Sequence, residues 1–534
     1  MVSAVLQVII FPGLFWYVLC WVALVPLFMA LLGGPFRGPH PAGPRPVVFM
    51  TPWRGFLLGY GAGIIWYAAS CNWIFHVMNS YGGLSQPVAA GVLFLFSLYL
   101  GLYHGLLGFL LAWIFVRRGV RRALFAAPFL WVAVELARAL VTGFPWDPLG
   151  TVQVANIPLT GMATFTGVYG ISWVIALVNT GFTAALVLPP DRRRTLLAAT
   201  LVAAIALQAG AWVRPPPSPT THEAALVQEN IPIAEGGWNR ARLERTLAEL
   251  SELSANPPAP PGSGGQAVEP LIIWPESPAP FFEVDPGFRH WLSALAVQTH
   301  ANVITGVVGM RLGAHQQVEE TFNSAILIQP GGNFVARYDK VHLVPWGEYV
   351  PFKSVFSFAR SLTHEVGDFS RGAERTVFTL HGRNFNDEKV GVFICYESIF
   401  PDEIRLFALN GADLLVNISN DGWFGESGAP GQHLNMARMR AIENRRWVLR
   451  STNTGVTAAI DPYGRVVASE PRNIRGSLRA RFAFAAATTF YTRHGDWFAW
   501  LCAIISLVAL LLPGEVALIA RPLRVREAVV AQNG

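Results

Sequence analysis

Charge is what this 534-residue chain has least of. Asp, Glu, Lys and Arg make up 14% of it, against about 25% in an average soluble protein. Hydrophobic residues reach 52%, and the mean hydropathy is +0.38. A water-soluble globule of this size needs a more polar surface, so that class is excluded. Intrinsic disorder is excluded too, because apolar surface to bury is abundant. Cysteine is equally scarce: Cys20, Cys71, Cys395 and Cys502 are the full set. Three lie in apolar runs, where a thiol is a small buried hydrophobe. Cys395 alone lies in the polar part of the chain, so no disulfide forms within that part. No C-x-x-C and no histidine cluster supports a metal site, and neither metal nor cofactor is expected. The net charge is +6, yet the basic residues gather in short runs beside apolar stretches, as orientation signals do. No basic and aromatic stripe of the nucleic-acid type occurs, so nucleic acid is not an expected partner. There is no internal repeat of fixed period.

What remains is an integral membrane protein with one soluble part. A spanning helix needs about 20 apolar residues. Runs that meet this are 15–33, 56–78, 88–115, 123–142, 163–188, 196–213 and 497–514. An eighth run, 2–13, is marginal and reads as a shortened first helix or a lost start. It lacks the basic n-region and cleavage site of a signal peptide. Arginines mark one set of loops: Arg37, Arg45 and Arg54 in 34–55, VRRGVRR at 116–122, Arg192 to Arg194 in 189–195, and Arg521, Arg524 and Arg526 after the last run. The alternate loops 79–87 and 143–162 hold no Lys or Arg. Basic loops stay in the cytoplasm, so 214–496 is expected outside, on the periplasmic side of a bacterial inner membrane. The organisation expected is a transmembrane bundle over 1–213, a periplasmic domain over 214–496, a final helix over 497–514 and a cytoplasmic tail over 515–534.

The outer segment opens on the Pro-rich linker RPPPSPTTHE. Short apolar runs at 224–230, 270–276, 301–309, 324–330, 390–397 and 412–420 predict strands of a buried sheet. Helical patterns at 238–254, 287–299, 401–410 and 430–446 alternate with them, which gives an α/β class. Residues 255–268 predict a flexible loop.

Three residues in this segment carry chemistry. Cys395 ends the apolar run VGVFIC, and strand ends are where α/β folds present reactive groups. As a nucleophile it needs a base and a positive neighbour. Glu276 ends LIIWPE, where burial raises a carboxyl toward the range of a general base. Lys340 lies in the aromatic-rich stretch RYDKVHLVPWGEYVPF and suits a developing oxyanion. Taken singly, each also reads as an ordinary buried thiol, an ion-paired carboxylate or a surface lysine. His342 is a rival base of lower rank. Glu348 is placed to orient the lysine or a substrate carbonyl. Glu397, two residues after Cys395, shares its side if the strand continues. The aromatic stretches 344–352 and 421–424 are candidate apolar walls or a membrane-dipping lid. In the membrane part, Glu135 and Arg138 are three apart on one helix face and are expected to pair. Asn72, His76 and His104 read as structural links between spans.

Glu276, Lys340 and Cys395 occur in order, each in a distinctive frame: WPES at 274–277, YDKVHLVPWGEYVPF at 338–352 and CYE at 395–397. Together with NISNDGWFG at 417–425, the segment 432–464 and TGFPW at 142–146, this set resembles the Glu-Lys-Cys triad of the nitrilase (carbon–nitrogen hydrolase) superfamily. With the flanking membrane runs, the resemblance narrows to its membrane-embedded branch, the apolipoprotein N-acyltransferases, and covers nearly all of 15–514. It implies a multi-pass bundle of seven to eight spans carrying an extracytoplasmic αββα sandwich, acting as a monomer. It further implies Glu276 as general base and Cys395 as nucleophile on the sn-1 ester of a phospholipid, giving a thioester. Lys340 and the backbone N–H of Tyr396 would hold the oxyanion. The acyl chain would then pass to the α-amino group of a diacylglyceryl-cysteine on an apolipoprotein. Glu348 matches an essential fourth position and Glu397 a supporting one, while Trp238 and Tyr396 match positions linked to substrate handling. A membrane-tethered amidase of the same superfamily differs in using water as acceptor. A transporter with an outer sensing domain instead predicts an inert Cys395.

Overall fold

The computed structural model describes residues 1–14, 16–32, 50–188, 190–233, 238–255, 271–315, 317–349, 369–382 and 385–512. Arg37, Arg45, nearly all of the loop expected at 255–268, the 350–352 end of one aromatic stretch and the tail expected at 515–534 lie outside the described residues.

The apolar runs are helical. Those at 88–115, 123–142, 163–188 and 196–213 correspond to the helices Gln86–Arg118, Val120–Thr142, Val168–Val187 and Pro190–Trp212; these four are long and apolar enough to cross a membrane. The runs 15–33 and 497–514 give the shorter apolar helices Tyr17–Leu32 and Trp497–Leu511. The run 56–78 yields Pro52–Ser70, started by a Thr51 cap that accepts from the Arg54 N–H, and then a short turn Trp73–His76. Residues 2–13 form only Val2–Ile9. Eight residues rise about 12 Å, less than half a hydrocarbon core of about 30 Å.

Without water between them, membrane helices associate through close van der Waals contact. Gly55 and Gly59 on Pro52–Ser70 face Gly108 and His104 on Gln86–Arg118. A Cβ on Gly59 would collide with the His104 carbonyl, and one on Gly108 with the Gly55 carbonyl. The expected pair of Glu135 and Arg138 does not form directly. Glu135 Oε1 accepts from Trp131 Nε1 (3.0 Å) and the Leu149 N–H (2.8 Å), while the Arg138 guanidinium lies over the Trp66 and Tyr67 rings at 5.7 and 5.8 Å. The aromatic faces stabilise the cation where a carboxylate was expected. His104 links its helix to the short helix Val2–Ile9, with Nε2 3.3 Å from Gln7 Oε1.

The segment after residue 213 folds into two six-stranded sheets. The strands are β1 (His222–Gln228), β2 (Leu271–Ile273), β3 (Asn302–Leu312), β4 (Val318–Ile328), β5 (Phe334–Asp339), β6 (Val377–Gly382), β7 (Phe385–Ile394), β8 (Leu414–Ser419), β9 (Val448–Thr452), β10 (Thr457–Ile460), β11 (Val466–Glu470) and β12 (Gly476–Phe482). One sheet runs β12-β1-β2-β3-β4-β5, the other β11-β10-β9-β8-β7-β6. In each, three central strands are parallel and the flanking ones antiparallel. Leu226, Ile273, Ile304 and Leu327 of the first sheet meet Val392, Val416, Ile418 and Leu449 of the second in one dry core. The outer face of the first sheet is covered by helices Arg240–Ala255 and Pro286–Thr299 through Leu250, Leu292 and Ala296. The second is covered by Pro401–Leu409 and Ala429–Asn444 through Ile404, Phe407, Ala437 and Ala441. This is the αββα order.

The helical layer of the second sheet also packs on the membrane bundle. Met436, Met439 and Ile442 join the bundle's own core cluster. Trp146 Nε1 donates to Gln432 Oε1 (2.8 Å), and the Val168 N–H donates to Glu443 Oε1 (2.9 Å).

Candidate active site

Three strand ends converge. Glu276 follows β2, Lys340 follows β5 and Cys395 follows β7. The first two strands lie in one sheet and the third in the other, so the site opens where the two sheets meet at one edge of the sandwich. Lys340 is wholly buried, and Glu276, Glu348 and Cys395 are each no more than 7% exposed. Lys340 Nζ donates to Glu348 Oε1 at 2.9 Å and to Glu276 Oε1 at 3.2 Å. Asn323, on β4, donates through Nδ2 to the same two oxygens at 2.6 and 2.8 Å. The remaining carboxylate oxygens are also held: Glu276 Oε2 accepts from the Asn420 N–H (3.0 Å) and Glu348 Oε2 from the Val344 N–H (2.7 Å). Two buried carboxylates and one ammonium thus form a fully hydrogen-bonded set.

Cys395 has φ +47°, in the left-handed region. For a residue with a Cβ this costs about 1–3 kcal/mol, so the surrounding structure must over-determine it. Glu397 does part of this. Its Oε2 accepts from the Ile394 N–H (2.7 Å), and its Oε1 from Tyr338 OH (2.7 Å), the Val341 N–H (2.8 Å) and the His342 N–H (3.1 Å). It therefore ties the end of β7 to the segment that carries Lys340.

The electrostatics distinguish Cys395 from Lys340. Burial pushes the Cys395 thiol up, the Glu276 charge adds to this, and Lys340 opposes it. The resting sulfur carries its proton and needs a base. Burial by itself lowers Lys340, but Glu276 and Glu348 outweigh it and hold it above its ordinary value, so the ammonium stays charged. A constellation of this kind suits attack on an acyl carbon: a thiol, a carboxylate to take its proton, and a fixed cation for the oxyanion.

The other expected residues fall elsewhere. The Tyr396 side chain turns toward the membrane bundle, where its OH donates to the Gly143 carbonyl (3.0 Å). Trp238 is half-buried in the outer helical layer, under the Arg242 guanidinium at 4.4 Å. His342 is stacked on Phe400 and lies 3.1 Å from Glu403. The aromatic stretch 421–424 meets the bundle: Phe424 packs on Trp73 and Trp146, and Trp423 on Tyr81. His76 lies against Gly425. Sequence reasoning missed Asn323 and a buried group of Ser419, Asp421, His433 and Arg450. A polar residue beside the apolar run SAILIQP marks Asn323. The other four stand inside the quoted frames 417–425 and 432–464 without having been weighed one by one. Among the described residues, no group of three or more His, Cys, Asp or Glu is arranged to hold a metal ion.

Comparison with known proteins matches this layout. The sequence model of the carbon–nitrogen hydrolase family covers residues 223–489, and that of the apolipoprotein N-acyltransferase N-terminal domain covers 3–181. An apolipoprotein N-acyltransferase from Geobacter metallireducens is 35% identical over 512 residues, 94% of this chain and 92% of that protein. The chain belongs to the apolipoprotein N-acyltransferase family. Another member, from Vibrio parahaemolyticus, is 31% identical over 86% of this chain and 88% of its own length. A solved amidase from Nesterenkonia covers 50% of this chain and 92% of its own, at 18% identity and a TM-score of 0.35. Apolipoprotein N-acyltransferase membership accounts for both halves of the molecule, the helical bundle and the sandwich docked on it.

Proposed function

We propose that this chain moves an acyl chain from the sn-1 position of a phospholipid to the α-amino group of an N-terminal S-diacylglyceryl-cysteine. The buried set of Glu276, Lys340, Glu348 and Cys395, facing the docked bundle, carries this reading. Glu276 takes the thiol proton as the Cys395 sulfur attacks the ester carbonyl. Lys340 and the Tyr396 N–H hold the oxyanion, with Glu348 and Glu397 fixing their positions. The ester C–O bond breaks, the lysophospholipid alcohol takes the proton from Glu276, and a thioester remains. The amine then attacks, its proton passes to Glu276 and on to the departing thiolate, and an amide forms. A thioester retains enough acyl energy for this transfer, and a nearly closed site slows its hydrolysis.

Two observations support the membrane setting. In helix Val120–Thr142 the basic turn at Arg117–Arg122 stands at one end, and Gly143, which meets Tyr396, follows the other. About 34 Å of helix separates them. With basic turns cytoplasmic, the catalytic domain over 214–496 faces the periplasm of a bacterial inner membrane, between the bundle over 1–213 and the final helix over 497–514, with 515–534 in the cytoplasm. Trp238 and the Tyr396 ring serve substrate handling on this reading. A single chain supplies every residue of the set, so a monomer suffices.

Intact mass spectrometry tests it. The purified protein is incubated with a phospholipid whose two acyl chains differ in mass. A hydroxylamine-sensitive adduct of the sn-1 mass on wild type, missing from Cys395→Ala and discharged by a diacylglyceryl-cysteine peptide, is the expected result. A folded wild type that takes up no acyl group, or takes the sn-2 chain, counts against the reading.

A further inference from the structure

The peptide joining Cys395 to Tyr396 is a rigid plane, so its C=O and N–H point in opposite directions. Whatever holds the Cys395 carbonyl also aims the Tyr396 N–H. The group that holds it is His433, whose Nε2 lies 3.0 Å from that oxygen. A carbonyl can only accept, so Nε2 carries a proton and donates it to that oxygen.

The histidine is itself anchored on every side. Its Nδ1 faces Asp421 Oδ1 at 2.9 Å. Arg450 Nη2 donates to Asp421 Oδ2 at 2.6 Å and lies 3.1 Å from His433 Nδ1. Arg450 Nη1 donates to Asn417 Oδ1. Ser419 Oγ donates to Asp421 Oδ1 at 2.8 Å. Asn417, Ser419, Asp421, His433 and Arg450 are all fully buried. Two aromatic rings, themselves in contact at 5.7 Å, pack against the imidazole: Trp146 of the membrane bundle lies near-parallel at 6.0 Å and 16°, and Phe424 meets it edge-on at 5.6 Å. A ring held at both nitrogens and packed against two aromatic rings has one orientation. Cys395 and Tyr396 open the short turn Cys395–Ile399, where the first N–H groups have no partner inside the turn.

We propose that His433, held by Asp421 and Arg450, is a positioning residue that aims the Tyr396 N–H at the oxyanion of the acyl intermediate. Because Trp146 is one of the walls, the aim also depends on the bundle being docked. The inference rests on the acyl-transfer reading above and concerns one hydrogen bond within it.

The test compares two amides in the full-length protein. Glutamine at 433 reaches as far as Nε2 and keeps a donor for the Cys395 carbonyl. Asparagine reaches only as far as Nδ1, so it keeps the Asp421 contact and loses the carbonyl. Loss of one oxyanion donor slows acyl transfer about 10²–10³-fold, so His433→Asn is expected to slow Cys395 acylation by phospholipid by at least about tenfold. His433→Gln is expected to recover most of the rate. Alkylation of Cys395 by iodoacetamide develops no oxyanion and should stay at the wild-type rate in both. Parallel loss of alkylation and acylation in His433→Asn would mean a merely structural role and overturn the inference. So would equal acylation rates in the Asn and Gln variants. If His433→Asn does not fold, His433→Leu takes its place with the same expectations. A wild type that takes up no acyl group removes the acyl-transfer reading itself, and this inference with it. Slow acylation confined to the variant that lacks the carbonyl donor bears it out.

Discussion

Replacing Lys340 by methionine probes the electrostatics at the centre of the site. The ammonium is fully buried, 3.2 Å from Glu276 and 2.9 Å from Glu348. Methionine fills much of the lysine stem's volume and removes the charge. Two buried carboxylates then remain, sharing the Asn323 amide at 2.8 and 2.6 Å. Breaking a buried ion pair by deleting one partner costs about 3–5 kcal/mol. Two like charges so placed do not both ionise, so the pair keeps one proton to higher pH. Acylation then suffers twice. One oxyanion donor is gone, at about 10²–10³-fold in rate, and Glu276 is part-protonated, so the residual rate rises with pH. The melting temperature falls by roughly 2–4 °C per kcal/mol for a domain of this size. Adding Glu348→Gln removes the surplus negative charge. The double variant is expected to regain most of the melting temperature and none of the acylation rate. Thermal melts in detergent and timed intact-mass measurement of acyl-enzyme read the two effects separately. Acylation of Lys340→Met at the wild-type rate would refute the role given to the lysine. A double variant no more stable than the single one would refute the charge argument.

Other outcomes follow from the same structure. Burial raises the Asp421 carboxyl, but Arg450 and His433 outweigh it and hold it well below the usual carboxylate range. A depressed carboxyl contributes stability above its unfolded pKa of about 3.9, lost as pH falls through the folded value. Asp421→Asn is therefore expected to cost about 3–5 kcal/mol at neutral pH, with Arg450 left buried and unpaired, and to show a smaller further loss in acid; melts from pH 7 to 3 check both. Gly425, at φ +54°, has no room for a side chain beside His76. Gly425→Val should push the 421–424 turn off the bundle and slow acylation while thermal stability changes less, as paired melt and acyl-enzyme assays will show. Gly108→Leu should force helices Pro52–Ser70 and Gln86–Arg118 apart and lower the melting temperature in detergent, and Gly108→Ala should already lower it, because the Cβ itself clashes with backbone.

Legibility in the sequence varied with how local the determinants are. The six strands expected from apolar runs are all present. Of the other six, β10, β11 and β12 escaped notice for physical reasons. β12 is an edge strand whose Arg479 and Arg481 pair with Glu223 of β1 at 2.6 and 3.1 Å, so it lacks an apolar run. β10 has only four residues, and β11 is largely exposed. Glu276, Lys340, Cys395 and Glu348 were recognisable from their frames, and the structure brings them together. Asn323 carried only the weak mark of a polar residue beside an apolar run, because an asparagine in a strand acquires meaning only from what stands opposite it. Glu135 and Arg138 mislead for the same reason. Three-residue spacing puts them on one face, but Trp66 and Tyr67 come from another helix.

Sequence by itself determined the apolar, membrane-type helices, the α/β class of the segment after residue 213 and the candidate site residues. Lipid and water act on each stretch separately, and a strand end with its flanking residues is a local pattern. Tertiary structure alone decided the contacts that make those residues a site. Glu276, Lys340 and Cys395 lie on three strands of two sheets, and only sheet register and face-to-face packing bring them within reach. The clamp of His433 between Asp421, the Cys395 carbonyl and Trp146 likewise spans a strand end, a helix and the membrane bundle. Such contacts depend on how separate layers pack, and no spacing along the chain encodes that.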